Sequence, residues 1–421
     1  MATQPALSQL VLGYSPMVDR QRGVIATRLT VFPERPDAAV DAAGLLAALA
    51  EVWPAPAAGS PPVVRHPLDP TAVSARAPGT RPPVSLNVAG EAALHAVMHA
   101  APGPQLMLEI PAFMATDPAH LGALQALRAA GSVLLIKGRP LKPLAPEALA
   151  CFSHSIVDLG DERRTADPPP PGVRQVTTVQ AGVRTSAELE AAFKRGAVAV
   201  LGWTFDDDAP APSAGRRQVP PDLKVVLELI DGVEREEPVP RLEALLKRDP
   251  TLAYRLMRYL NSPAFGLSVE IHSFGHAVML LGYARLKRWL ALLLASSSKD
   301  PNAKATMYAA VRRGLLMEEL GRSQGDAETR GEMFICGVFS LLDRLLGQPF
   351  AELLDSVPVA ERVRLALVGD GGPYLPYLDL VRAVENESLF DIRECAERLL
   401  LAPAEVNRAL LASLRSARQI D

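Results

Sequence analysis

The feature that most narrows what this chain can fold into is a helix start set between two apolar stripes. Leu242, Leu245 and Leu246, then Leu252, Leu256, Tyr259 and Leu260, recur at three-and-four spacing, so two consecutive helices each present an apolar face and must pack together. Between them, the Asp249 carboxylate can accept the first free backbone amides, and Pro250 has no N–H to lose at the first helical position. The break Asn261-Ser262-Pro263-Ala264-Phe265-Gly266 stops the second helix, and Ile271, Ala277, Leu280, Leu281, Leu286, Trp289 and Leu293 resume the pattern beyond it.

This succession resembles the front half of an HDOD domain, the all-helical signalling domain related to HD phosphohydrolases. The family's pattern is met by Asp249-Pro250, Asn261-Ser262, Phe265-Gly266, Ile271-His272-Ser273 and the segment from Ala277 to Gly282. The resemblance implies a domain from about residue 219 to the C-terminus. HD phosphohydrolases need histidines and an adjacent His-Asp pair as metal ligands, yet no histidine follows His276. The family's Gly-Leu-Leu-His-Asp slot reads Gly337-Val338-Phe339-Ser340-Leu341, so the His-Asp pair is lost at Ser340 and Leu341 and apolar packing is expected in its place.

With 421 residues, 48% hydrophobic and 22% charged, the chain can bury more than one core. Aromatics reach only 5%, so those cores are expected to be mostly aliphatic. A net charge of -3 lacks the positive excess of a surface for phosphate backbones, and no nucleic acid is expected as a partner. Cys151, Cys336 and Cys395 are odd in number and far apart, which excludes a disulfide framework or a zinc spacing and fits a reducing cytoplasm. The longest apolar runs, such as Trp289 to Ala295, are too short to cross a bilayer, and the N-terminus lacks a basic stretch before an apolar run. A cytoplasmic chain without membrane contact is the expectation.

Ahead of the helical half, LVLGYSPMV and GVIATRLTVF flank the polar turn Asp19-Arg20-Gln21-Arg22-Gly23 and predict a hairpin. A helix is expected from about Asp41 to Glu51, and loop over the proline-rich stretch Pro54 to Pro83. Strands then alternate with helices: strands at Val84–Val88, Gln105–Ile110, Val133–Ile136, Ser155–Leu159, Val173–Val179 and Ala197–Leu201. Helices are expected at Glu91–Ala100, Pro118–Ala130, Pro146–Phe152 and Ser186–Arg195. Such alternation implies a parallel sheet, and its simplest closure is a (β/α) barrel.

The order of these pieces resembles an EAL domain, the barrel whose active members hydrolyse cyclic di-GMP. Tyr14 to Asp19 is similar to the family's opening Tyr-Gln-Pro-Ile-Val-Asp, Val84 to Asn87 to its Val-Asn strand, and Leu108-Glu109-Ile110 stands at its Glu-Leu-Thr-Glu. Gly182-Val183-Arg184-Thr185 stands at its Glu-Gly-Val-Glu-Thr, and Gly202-Trp203-Thr204-Phe205 at its Gln-Gly-Tyr-x-Phe. Active members hold divalent metals on carboxylates and an asparagine at strand ends, to activate water and neutralise phosphate. The resemblance puts Asn87, Glu109 and Asp158 at family metal positions. It puts Arg28 at the name-giving glutamate, Lys137-Gly138 at the tandem aspartates, Ser155 at a lysine, Ala181 at the glutamate before Gly-Val and Leu201 at the last glutamine. Two cations near a divalent site repel the metal, so the three survivors are expected to be vestigial, with no catalytic residue, metal or cofactor.

Glu91, His95 and His99 are spaced four apart and lie along one helix face, where two histidines could share a metal; the reading preferred is an ordinary half-exposed face beside the buried Leu94, Val97 and Met98. Further helices are expected at Leu341–Leu346, Phe350–Leu354, Val359–Val368, Tyr374–Asn386 and Asp391–Leu401, and from Ala402-Pro403 to about Arg418. Tyr374, Tyr377 and Phe390 are read as interhelical filling ahead of a partner groove. Asp206 to Gly215, acidic and then proline-broken, is the expected linker.

The fold class expected is therefore α/β plus all-α: a degenerate EAL-type (β/α) barrel over residues 1–205, a linker over 206–218 and an all-helical HDOD domain over 219–421. The function expected is non-catalytic signal transduction through other signalling proteins, with cyclic di-GMP binding absent or weak. The alternatives are a cyclic di-GMP receptor, an active phosphodiesterase and a DNA-binding regulator.

Overall fold

The computed structural model describes residues 5–35, 40–54, 68, 82–103, 106–140, 142–164, 176–204, 221–246, 248, 274–295, 303–323, 325–354 and 359–416. The chain divides into two compact units, Met1–Asp207 with Arg382–Leu411, and Asp208–Val381 with Ala412–Asp421. The boundary read from the sequence at residues 206–218 falls at one crossing between these units; the segment Arg382–Leu411 returns to the first unit.

The first unit is a closed eight-stranded barrel in chain order, built from β1 (Leu10–Val18), β2 (Val24–Pro33), β3 (Val84–Val88), β4 (Leu106–Pro111), β5 (Val133–Lys137), β6 (Phe152–Asp158), β7 (Thr177–Ala181) and β8 (Ala199–Leu201). β1 is antiparallel to both neighbours, and every other pair is parallel. The hairpin and the alternation are as the sequence implies. The expected Pro118–Ala130 helix is instead the turn Pro118–His120 followed by the helix Leu121–Ala129, and short helices at Ala112–Thr116 and Leu159–Arg164 had no expectation. Asp117 accounts for the split, because its carboxylate accepts the Ala119 N–H and Pro118 starts a new turn.

Side chains alternate across a strand, so every second residue points into the barrel. Met17, Ile25, Ala26, Met107, Leu135, Ile156, Val179, Ala199 and Leu201 form one buried apolar cluster. Leu68, from within the proline-rich stretch, is buried in the same cluster; the neighbouring residues 55–67 and 69–81 lie outside the described set. Two residues further along the parallel strands the pattern turns polar, as in Ala26-x-Arg28-x-Thr30, Met107-x-Glu109 and Leu135-x-Lys137. The barrel interior is therefore layered, apolar below and charged toward the strand ends.

Two helices of the returning segment, Leu389–Arg398 and the front of Pro403–Ser416, belong with the barrel. Asn407, 1% exposed, accepts the Leu12 N–H at 3.0 Å and donates to the Leu7 and Leu10 carbonyls at 2.8 and 2.7 Å. Trp203 donates from Nε1 to the Glu385 carbonyl at 3.1 Å and meets the Tyr14 ring edge-on, with centroids 5.5 Å apart. At Gly13 a Cβ would come within 3.0 Å of the Glu387 Cα, so β1 is glycine where the segment crosses it.

The second unit is helical among the described residues. Ala303–Leu320 and Ala327–Phe339 are its tightest pair, since a Cβ at Gly337 would lie 2.6 Å from the Arg313 carbonyl group and the Gly314 nitrogen. From Glu332 to Phe339 every residue is buried, which makes this the central helix. Phe274–Ala295 is interrupted at Gly282, whose φ of 71° and ψ of 166° break the helical run. The motif residues Asp249-Pro250, Asn261-Ser262, Phe265-Gly266 and Ile271-His272-Ser273, and the expected linker, lie outside the described residues. Among those described, no helix is long and apolar enough to cross a membrane.

Asn407→Ala would leave one buried donor and two buried acceptors of the β1 edge unpaired. An equilibrium urea titration of the full chain should show a loss of about 3 kcal/mol, at 1–3 kcal/mol per unsatisfied group with partial relaxation.

Candidate functional site

The charged layer of the barrel holds four of the residues that the EAL resemblance singles out, Arg28, Asn87, Glu109 and Lys137. Arg28, in the middle of β2, lies opposite Ser15 of β1 and Ser85 of β3. Its guanidinium grips Glu109 of β4 with two parallel bonds, Nε to Oε1 at 3.0 Å and Nη2 to Oε2 at 2.7 Å. The Glu109 side chain has no exposed surface, and Oε1 also accepts the Ser85 hydroxyl at 2.9 Å. The other face of the guanidinium is met by Glu387, whose Oε2 is 3.3 Å from Nη1. Glu387 Oε1 accepts the Ser15 hydroxyl at 2.8 Å, and the Thr30 hydroxyl bonds to the same carboxylate.

A second branch closes the network. Lys137, the last residue of β5, donates from Nζ to Asn87 Oδ1 at 2.8 Å, and Asn87 Nδ2 donates to the Thr30 hydroxyl at 3.0 Å. Two cations and two carboxylates are thus joined through hydroxyls and one amide, so the ionised set is electrically neutral. Burial by itself would lower the Arg28 pKa, but Glu109 and Glu387 outweigh it and hold the guanidinium charged. Burial pushes the Glu387 carboxyl up, against the opposing pull of Arg28 and the Ser15 hydrogen bond. Lys137 is pushed down, by burial and by Arg28.

The remaining positions named from the sequence are not brought into this network. Asp158, at the end of β6, accepts the Gly160 N–H at 2.8 Å and packs under Gly182; it acts on Arg28 only through space. Gly138 lies just past β5 with φ 86° and bonds through its N–H to the Ile156 carbonyl. Ser155 stands on the face of β6 opposite to Ile156 and Asp158. Ala181 and Leu201 belong to the apolar cluster below. For a divalent metal, Glu109 is already bound on both oxygens, Asn87 Oδ1 faces an ammonium, and Arg28 stands among the donors. This set does not fit such an ion.

Sequence reasoning missed Ser15, Thr30, Ser85 and above all Glu387. The first three were legible as polar residues on the inward face of predicted strands. Glu387 was not: it is 359 residues from Arg28, in a left-handed turn with φ 53° between two helices.

In the helical unit, the slot expected to be apolar is instead polar at its centre. Ser340 is buried, donates to the Gly337 carbonyl at 2.7 Å and accepts the buried Arg313 guanidinium at 3.1 Å. Leu341 is buried beside it, and Asp343, pushed up by burial, feels the Arg313 charge. The correction has a plain cause, since Arg313 comes from the neighbouring helix and no spacing within Gly337–Leu341 announces it. Tyr374 is interior, its hydroxyl donating to Glu332 at 2.6 Å, and Tyr377 is buried, whereas Phe390 is 74% exposed.

Residues 219–348 match the HDOD domain. The helical half carries an HDOD domain. The closed EAL-like barrel ahead of it is consistent with an EAL plus HDOD chain. Among curated proteins the chain is similar to the uncharacterized protein YuxH of Bacillus subtilis strain 168, 28% identical over 235 residues, covering 54% of this chain and 56% of YuxH. It is also similar to the cyclic di-GMP phosphodiesterase CdgJ of Vibrio cholerae serotype O1, 27% identical over 240 residues, 57% of this chain and 55% of CdgJ. The match spans about half the length of each relative. Solved structures include the PaMucR phosphodiesterase in its c-di-GMP complex, at 19% identity and a TM-score of 0.30 over 47% of this chain and 91% of that one. A standalone EAL protein from Vibrio cholerae O395 in its c-di-GMP-bound form follows at 16% and 0.26, over 46% and 89%.

Arg28→Ala would leave Glu109 buried without its counter-charge. The expected loss in equilibrium unfolding is about 3–5 kcal/mol, and Arg28→Lys should recover only part of it because an ammonium cannot make the paired bonds. A loss below about 1 kcal/mol would mean the pair behaves like a solvent-exposed bridge.

Proposed function

We propose that this chain is a non-catalytic signalling protein, in which an EAL-like barrel carries an internal ion-pair cluster where hydrolysing relatives hold metal, and in which the HDOD domain gives output by binding other proteins. Arg28 carries this reading. Its guanidinium takes both oxygens of Glu109 and is itself covered by Glu387 of the same chain. Metal-assisted phosphodiester hydrolysis needs open coordination positions and an activated water. A neutral, mutually bonded set offers neither. Lys137 bound to Asn87 extends the argument, and Gly138, Ser155, Ala181 and Leu201 supply no replacement ligand. The slot of the helical unit, filled by Arg313 and Ser340, supports the same reading for HD-type chemistry.

Cyclic di-GMP binding is read as absent or weak, because the cations a phosphate would seek are already paired. The test is the tag-free full chain with cyclic di-GMP in magnesium and in manganese. No turnover and no calorimetric binding at micromolar concentrations are expected. Turnover that disappears in Glu109→Gln would overturn the reading, and tight binding without turnover that is lost in Lys137→Ala would make the chain a receptor.

A further inference from the structure

On the outer surface of the barrel unit, away from the charged interior, three metal-ligating side chains converge. Glu91 and His95 lie one turn apart on the helix Glu91–His99, and His120 is delivered to them by the turn Pro118–His120. The sequence pointed to His99 as the third member; the structure assigns that place to His120, because His99 sits a further turn along the helix and is exposed. The ligand atoms of Glu91, His95 and His120 lie within 4.8 Å of one another. The two imidazole centroids are 4.9 Å apart, with their planes tilted by 46°, and Glu91 Oε1 is 3.7 Å from His95 Nε2.

We infer that Glu91, His95 and His120 form a binding site for a divalent transition metal of the zinc class. A tetrahedral zinc at about 2.0–2.1 Å from each donor holds its donors about 3.4 Å apart. Glu91 and His95, at 3.7 Å, already stand close to that separation, and no pair exceeds 4.8 Å, a difference that χ rotations of half-exposed side chains absorb; His95 is 34% and Glu91 60% exposed. The turn that presents His120 is held by the Asp117 carboxylate on the Ala119 N–H at 2.9 Å and by Pro118, so this ligand is set in position by the backbone. Among the described residues, neither ring nitrogen of His120 has a hydrogen-bond partner, which leaves both free to ligate.

Two imidazoles with one carboxylate suit zinc, nickel or copper and do not suit magnesium or calcium, which take oxygen donors. Three protein ligands leave a fourth position for water. Bound metal would tie the helix after β3 to the turn after β4, linking two successive βα units on the outside of the barrel.

The test is zinc titration of the tag-free full chain against a chromophoric chelator, with cobalt(II) absorption as a second readout. One zinc per chain and a tetrahedral cobalt spectrum are expected, with no competition from magnesium. His95→Ala and His120→Ala should each weaken zinc on the order of 100-fold, at least the loss seen when a supporting residue of a metal site is removed. His99→Ala should bind as the parent does. All three positions are surface ones, and melting without zinc checks that the variants fold; zinc should raise the midpoint of the parent and of His99→Ala alone. Absence of stoichiometric zinc, parental affinity in His120→Ala, or loss in His99→Ala would overturn the inference.

Discussion

A guanidinium buried inside a barrel must be surrounded by negative charge, and Arg28 imposes that demand on the first unit. Glu109 answers it from β4, across β3, but one carboxylate leaves a face of the guanidinium uncovered. Glu387 covers that face, and its arrival from the far end of the chain explains features that otherwise have no common cause. Gly13 lacks a side chain where the segment crosses β1. Trp203 reaches the Glu385 carbonyl, and Asn407 satisfies three backbone groups at the β1 edge. The C-terminal segment is thereby part of the barrel unit's own polar accounting, although the chain reaches it only after the helical unit.

The same physical device recurs in the second unit. Beside the slot that HD resemblance assigns to a His-Asp pair, the buried Arg313 bonds to Ser340, with Asp343 close enough to feel its charge. In both units, taken separately, an interior arginine is held by side chains of its own unit. A guanidinium can satisfy several acceptors at fixed geometry, which suits it to a polar interior of this kind.

Much of this was legible from residues alone. The alternation Ala26-x-Arg28-x-Thr30 and Met107-x-Glu109 put the charged positions on the inward face of strands, and resemblance marked Arg28 and Lys137 as cations among expected carboxylates. At Asp117-Pro118 the local chemistry starts a separate turn and divides a helix that the apolar period read as continuous. His120 lay unnoticed on that turn, because a helical period relates His95 to His99 and says nothing about a residue on the next βα connection.

The sequence by itself determined what depends on neighbours along the chain: strand and helix periods, hairpin, caps, and the identity of the charges facing inward. These follow from backbone geometry, which repeats every two or every 3.6 residues. Only the tertiary structure decided which charges meet. Arg28 and Glu387 are separated by 359 residues, and their pairing depends on a left-handed turn at Glu387, a glycine at position 13 and the return of Arg382–Leu411 to the barrel. No local period encodes such a meeting, since electrostatic pairing depends on distance in space and is indifferent to distance along the chain.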